Sequence, residues 1–203
     1  MVDRRLPSMY DSLKTLYNAA WPTPELHYYL RKHCLQDKLA DIEAHCSVLT
    51  VALCTAFEGP MGMIFRFDPH GVPSIVIAAH DSVRERPNDL VAWPLHGSDP
   101  DNFATFRLEA DVLGAGQMCD QIRQKAGNPL RLHRHPQDWI ASGFDGSVLL
   151  NQRWGGYWLN KVKGPFIAAD LDHGREVAAM LRPFKKSHLV MIEAHDADQK
   201  MAA

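Results

Sequence analysis

The chain has 203 residues, 46% of them apolar and 23% charged, with a formal net charge of −2. That length is enough for one substantial core without disulfide or metal support, and the composition is that of a folded chain rather than a disordered one. So small a net charge gives no global attraction to nucleic acid or to an anionic membrane, so binding either one requires a local patch.

The amino end, Met1-Val2-Asp3-Arg4-Arg5-Leu6-Pro7, lacks the apolar core of a signal peptide. The longest strongly apolar run, Val48 to Phe57, is about half of the roughly 20 residues that span a bilayer. A cytoplasmic protein with no membrane partner is the expectation. Cysteines stand at 34, 46, 54 and 119 without a C-x-x-C pair, which favours reduced, mostly buried thiols over a disulfide scaffold.

In chain order, Ser8 with Asp11 makes a capping-box-like start, and Met9, Leu13, Leu16, Tyr17 and Ala20 share one helical face. Thr23 as cap and Pro24 at the first position begin a second helix with Leu26, Tyr29 and Leu30 as its stripe, continued at helical spacing by Leu35, Leu39, Ile42 and Cys46. Short Val-, Ile- and Phe-rich runs follow at Ser47–Phe57, Gly62–Phe67, Ser74–Ala79 and Asp89–Trp93, with Met61–Phe67 and Ser74–Ala79 expected to form a hairpin. From Phe103 the pattern alternates. Strands are expected at Phe103–Glu109, Leu130–His133, Ser147–Leu150, Phe166–Ala169 and Leu189–Glu193, and helices at Gly116–Lys125, Pro136–Ser142 and Gly174–Leu181. The implied fold is α/β: a mixed sheet with an N-terminal helical segment, antiparallel strands in the middle and βαβ-like alternation in the C-terminal half. Residues 1–203 read as one domain, with a sub-boundary near 97–102 between a helical plus strand-rich half (1–97) and an alternating half (103–195).

The segment richest in chemistry is Gly164-Pro165-Phe166-Ile167-Ala168-Ala169-Asp170-Leu171-Asp172-His173-Gly174. An apolar strand there delivers two carboxylates at its carboxyl end, where ligands bind in α/β sheets. Two carboxylates so placed repel each other unless a cation, proton or basic group compensates, and Mg²⁺ is a natural candidate. Alternatively, Asp170 or Asp172 caps the following helix. Phe106-Arg107-Leu108-Glu109 offers a third acid if that run is a neighbouring strand. A strand ending in Glu, alternating elements, then a strand ending in D-x-D before a helix resembles the toprim domain of primases and topoisomerases, over roughly residues 103–193. The resemblance implies Glu109 as general acid/base, Asp170 and Asp172 as Mg²⁺ ligands, and phosphoryl transfer on nucleic acid.

Arg153-Trp154-Gly155-Gly156-Tyr157-Trp158 followed by Lys161 mixes aromatic and basic residues around a glycine pair. It reads as a surface for nucleic acid or a protein partner, or as a hairpin turn packing its tryptophans onto the core. A non-catalytic interaction or accessory module is therefore the alternative to metal-dependent phosphate chemistry. Leu132-His133-Arg134-His135-Pro136 carries an H-x-H pair and a basic run suited to metal or to phosphate. Gly114-Ala115-Gly116 reads as a tight turn, and His80-Asp81-Ser82 gathers hydrolase residue types too close in sequence to converge as a triad.

Overall fold

The computed structural model describes residues 24–38, 49–59, 62–80, 87–96, 102–184 and 190–192. The expected helix from Ser8 to Ala20, the continuation of the second helical stripe at Leu39, Ile42 and Cys46, the Gly97–Pro100 segment, and Asp81 with Ser82 lie outside them. The protein is α/β, built from a closed five-stranded barrel and a mixed five-stranded sheet. No helix among the described residues is long and apolar enough to cross a membrane.

Helix α1 (Pro24–Lys32) opens with proline at a position whose N–H has no helical partner, and it buries Leu26, Tyr29 and Leu30. The barrel strands are β1 (Leu49–Gly59), β2 (Gly62–Phe67), β3 (Val72–His80), β4 (Pro87–Pro94) and β5 (Ala104–Thr105), in the closed order β1-β2-β5-β4-β3. The expected β2–β3 hairpin does not form. Instead, β1 pairs with β3 through its first half and with β2 through its second, both ladders meeting at Cys54. Strand β1 has 11 residues, long enough to serve two partners as it curls. A Cβ at Gly71 would fall 2.5 Å from the Cys54 backbone, so the turn at this hand-over needs glycine.

Both faces of β3 and β4 are covered, and for this reason they read as continuous apolar runs rather than alternating ones. Cys54, Phe65, Val76, Ala78, Leu90 and Phe106 belong to one core, in the barrel. Ile75, Ile77, Val91 and Trp93 point the other way, into a core shared with α1 and the second sheet. A polar chain, buried at its Trp93–Tyr29 end, crosses that junction. Trp93 Nε1 donates to Tyr29 Oη (3.0 Å), Tyr29 Oη donates to Gln137 Oε1 (2.8 Å), and Gln137 Nε2 lies 2.9 Å from His33 Nδ1. Burial raises the Tyr29 pKa, which keeps its hydroxyl a donor.

The second sheet contains β6 (Val112–Leu113), β7 (Leu130–His133), β8 (Ser147–Leu149), β9 (Phe166–Ala168) and β10 (Val190–Ile192), in the order β10-β9-β7-β8-β6. Only β6 is antiparallel. The connecting helices are α2 (Ala115–Cys119), α3 (Gln121–Ala126), α4 (Pro136–Ala141), α5 (Gln152–Lys161) and α6 (Leu171–Leu181). Helix α4 lies on the barrel side, where Trp139, Ile140 and Phe144 join the shared core. Leu159 of α5 with Val177 and Leu181 of α6 cover the opposite face through Leu130, Leu132 and Phe166. The single helix expected over Gly116–Lys125 is split at Asp120, whose extended backbone ends α2 and whose carboxylate caps α3.

Two further expectations change. Strand Phe103–Glu109 shrinks to β5, and it belongs to the barrel rather than to the parallel sheet. The cause is Asp89, fully buried on β4. Its Oδ1 accepts the N–H groups of Leu90, Phe106 and Arg107, and its Oδ2 those of Glu109 and Ala110, at 2.8–3.2 Å. The carboxylate thereby satisfies the donors that a strand would have paired, and Leu108 turns to φ 60°. The segment around Gly155-Gly156, for which a hairpin turn was one of the readings, is helix α5. A Cβ on Gly156 would stand 2.4 Å from Met180 O and one on Gly155 3.0 Å from Met180 Sδ, so the pair lets α6 lie against α5.

A cleft at the carboxyl edge of the parallel strands

Order β10-β9-β7-β8 with its connections places the reversal of strand order at β7 and β9, the position where open α/β sheets bind ligands. A cavity of about 350 Å³ opens at this edge, between the sheet and the barrel rim. His133 and Arg134 enter it from the end of β7, and Leu149 to Arg153 from the end of β8 and the start of α5. Glu176 and Met180 come from α6, and Met63, Phe103 and Thr105 from the barrel.

Arg134 is the centre of the charged wall. Its Nε donates to Asp170 Oδ2 (3.2 Å) and its Nη2 to Glu176 Oε1 (3.0 Å). Burial works against the guanidinium charge, but the bonds from Glu176 and Asp170 outweigh it and hold the pKa above the usual arginine value. Asp170 is also the N-cap of α6, its Oδ1 accepting His173 N at 2.7 Å. That backbone bond, with Arg134 behind it, lowers the Asp170 pKa. His173 Nδ1 accepts the Ala169 N–H (3.2 Å), so the neutral ring carries its proton on Nε2. Burial first, then the neighbouring Arg134 charge, lowers the His173 pKa and favours that neutral form.

The other wall is the amino end of α5. Asn151 caps it, its side chain accepting Arg153 N at 3.1 Å. Arg153 has no ion pair or side-chain hydrogen bond among the described residues, in contrast to the doubly bonded Arg134. Thr105 lines the cleft from the barrel with 3% of its surface exposed, and its Oγ1 has no hydrogen-bond partner among the described residues. A buried hydroxyl in that state is costly unless something satisfies it.

The structure places the sequence-derived candidates as follows. Asp170 lies on the cleft edge as the helix cap. Asp172 is exposed in the first turn of α6 and pairs with Arg175 Nη1 at 2.9 Å. Glu109 lies 3.9 Å from Arg107 in the segment leading to β6, three strands away from β9. At about 4.8 Å per strand that is about 14 Å, far beyond the reach of a single ion. Among the described residues, no group of three or more His, Cys, Asp or Glu could hold a metal ion. A resident Mg²⁺ with Glu109 alongside therefore does not fit this donor set. Asp170 and Glu176 face a shared cation, and that cation is Arg134.

His133 and His135 do not act as a pair. His133 Nε2 lies 2.8 Å from Asp145 O, whereas His135 caps α4 by accepting Gln137 N at its Nδ1. Of the aromatic candidates on α5, Trp154 and Tyr157 are about half exposed. Trp158 is instead tied down, its Nε1 donating to Asp111 Oδ2 at 3.0 Å. Lys161 Nζ sits 4.0 Å from the Tyr157 ring centroid and 4.7 Å from that of Trp158. Among the described cysteines only Cys54 is buried, its pKa pushed up to about 12 by desolvation, while Cys34 and Cys119 are exposed. Glu176, Thr105 and Asn151 were missed in the sequence. The basic run around Arg134, Arg153 of the aromatic-basic segment and Asp170 of the acidic motif are the sequence candidates that lie at this cleft.

Set against protein-family models, curated proteins and solved structures, the chain matches none.

Proposed function

We propose that the protein binds a ligand bearing a phosphate group in the cleft at the carboxyl edge of β7 and β8. Arg153 and the amino end of α5 take the phosphate, His173 Nε2–H and the Thr105 hydroxyl take further oxygens, and Met63, Phe103 and Met180 contact an apolar part. The observation that carries this reading is the guanidinium of Arg153, which lacks a partner among the described residues and sits beside a helix amino end in a cleft with an unsatisfied buried hydroxyl. The volume of about 350 Å³ suits a small ligand at the lower end of the usual range, roughly 300–1,000 Å³. Phosphate recognition is the part of the toprim-like expectation kept in this proposal; the metal triad is not. Divalent ions enter it only as companions of the ligand's phosphates.

Calorimetric titration with inorganic phosphate and with nucleoside mono- and triphosphates, each with and without Mg²⁺, tests the proposal. Charge-assisted hydrogen bonds contribute about 1.5–3 kcal/mol each, so Arg153→Ala should weaken binding by roughly one to two orders of magnitude. Thr105→Val should weaken it less. Binding that is unchanged in Arg153→Ala, or no binding of any phosphate compound at millimolar concentration, would overturn the reading.

A further inference from the structure

Beside the cleft, the outer face of α5 has a composition of its own. Residues 151–169 contain Arg153, Lys161 and Lys163 and no acid, in a chain whose 24 acids outnumber its 22 lysines and arginines. On this locally basic stretch Trp154 and Tyr157 stand half exposed, 6.4 Å apart between ring centroids. Trp158 is the third ring in line, 6.3 Å from Tyr157, but its indole N–H is fixed by Asp111, which commits that nearby acid to a structural bond. The rings therefore project from a helix whose described side chains are cationic or neutral, with the Lys161 ammonium over one face of Tyr157. Arg153 belongs both to this face and to the cleft wall.

We infer that this face binds single-stranded nucleic acid, with one backbone phosphate seated in the cleft at Arg153 and successive bases laid along Trp154 and Tyr157. The inference rests on the phosphate-binding reading of the cleft and deepens it by naming the ligand class. A polyanion carrying flat, π-faced groups complements an exposed surface of cations interleaved with aromatic rings, because bases stack on the rings while phosphates meet Lys161, Lys163 and Arg153. Arg153, which lines the cleft, directly precedes Trp154 in α5, so a strand continues where a mononucleotide ends. A duplex keeps its bases stacked on each other and cannot use the rings.

The test is fluorescence anisotropy with a labelled 20-nucleotide single strand, DNA and RNA in parallel, against the matching duplex, alongside the mononucleotide calorimetry above. The single strand should bind more tightly than the duplex, with log Kd rising with log salt at a slope of about 2, the value for three phosphate contacts on a single strand. Trp154→Ala should weaken strand binding about tenfold or more and leave mononucleotide binding unchanged, and Trp154→Phe should restore most of it. Lys161→Gln should lower the salt slope by about 0.7. Mononucleotide binding with no tighter strand binding, or strand binding indifferent to Trp154→Ala and Tyr157→Ala, overturns this inference and leaves the cleft reading standing. In that case the face belongs to a protein partner. Absence of both mononucleotide and strand binding removes both readings together.

Discussion

Asp89 gives the sharpest test of how the two halves are joined. Its carboxylate is fully buried, and four of its five backbone donors belong to residues 106–110, the link from the barrel to the second sheet. In Asp89→Ala all five N–H groups lose this acceptor, although Phe106 N also donates to Leu90 O (2.9 Å) and so keeps a partner. Each buried donor left unpaired costs about 1–3 kcal/mol, a loss offset in part because the variant no longer buries a charge. That offset is real, since desolvation raises the Asp89 pKa despite the five bonds. A net loss of about 4 kcal/mol follows for Ala. Asn is isosteric and neutral, and its carbonyl oxygen retains one set of donors while its amide group faces the other, so about 2 kcal/mol is expected. Urea denaturation of the three proteins measures this directly. Because the same bonds hold the barrel rim that carries Phe103 and Thr105, the Asn variant should also bind cleft ligands more weakly. An Ala variant within 1 kcal/mol of wild type would refute the reasoning and make the 106–110 turn self-supporting.

Three further outcomes are expected. Gly156→Ala gains about 1 kcal/mol of helix propensity but forces a Cβ to within 2.4 Å of the Met180 backbone oxygen. A clash with backbone outweighs that gain, giving a net loss of roughly 1–3 kcal/mol by thermal or urea unfolding, whereas Gly155→Ala, which meets only side-chain atoms, the Met180 thioether at 3.0 Å and the Leu149 methyl at 3.1 Å, should cost less. His173 has a lowered pKa in the folded state, so below the unfolded value of about 6.5 the unfolded chain binds more protons and stability falls as pH drops. Unfolding free energies of wild type and His173→Gln from pH 8 to 5 should diverge accordingly, and parallel curves would refute the assignment. Arg134→Ala removes the cation between Asp170 and Glu176, so calorimetry should show Mn²⁺ binding in the variant that wild type lacks. Equal heats in both would show that the guanidinium is not what balances the two acids.

How far the fold was legible depended on whether local pattern or distant contact decided each element. Leu130–His133 was read from the sequence with its observed bounds, and β9 to within one residue, because an apolar run between glycine or proline signals leaves few alternatives. Helix α5 was missed because Gly155-Gly156 is a turn signal in isolation. Its helical role is set by Met180, 24 residues later in the chain. The β2–β3 hairpin failed because neighbouring strands were assumed to pair, whereas β1 is long enough to separate them. Glu109 was placed with the D-x-D acids on the assumption that residues 103–109 form one strand of their sheet. Asp89, some 20 residues earlier and unremarkable in sequence, fixes that segment as a turn instead.

The electrostatic premise behind the acidic motif still holds, with a different cation. Of the two acids in that motif, Asp170 is compensated by Arg134 from the adjacent strand β7, and Asp172 by Arg175 within α6. Arg134 suits the position because its planar fork serves two carboxylates at once, on Nε and on Nη2, whereas a lysine offers a point charge. With that charge committed, the cationic part of the proposed phosphate site is Arg153, which has no ion pair among the described residues, at the amino end of α5. Ligand affinity should therefore follow Arg153 far more closely than Arg134, although Arg134 stands nearer the point where the strand order reverses.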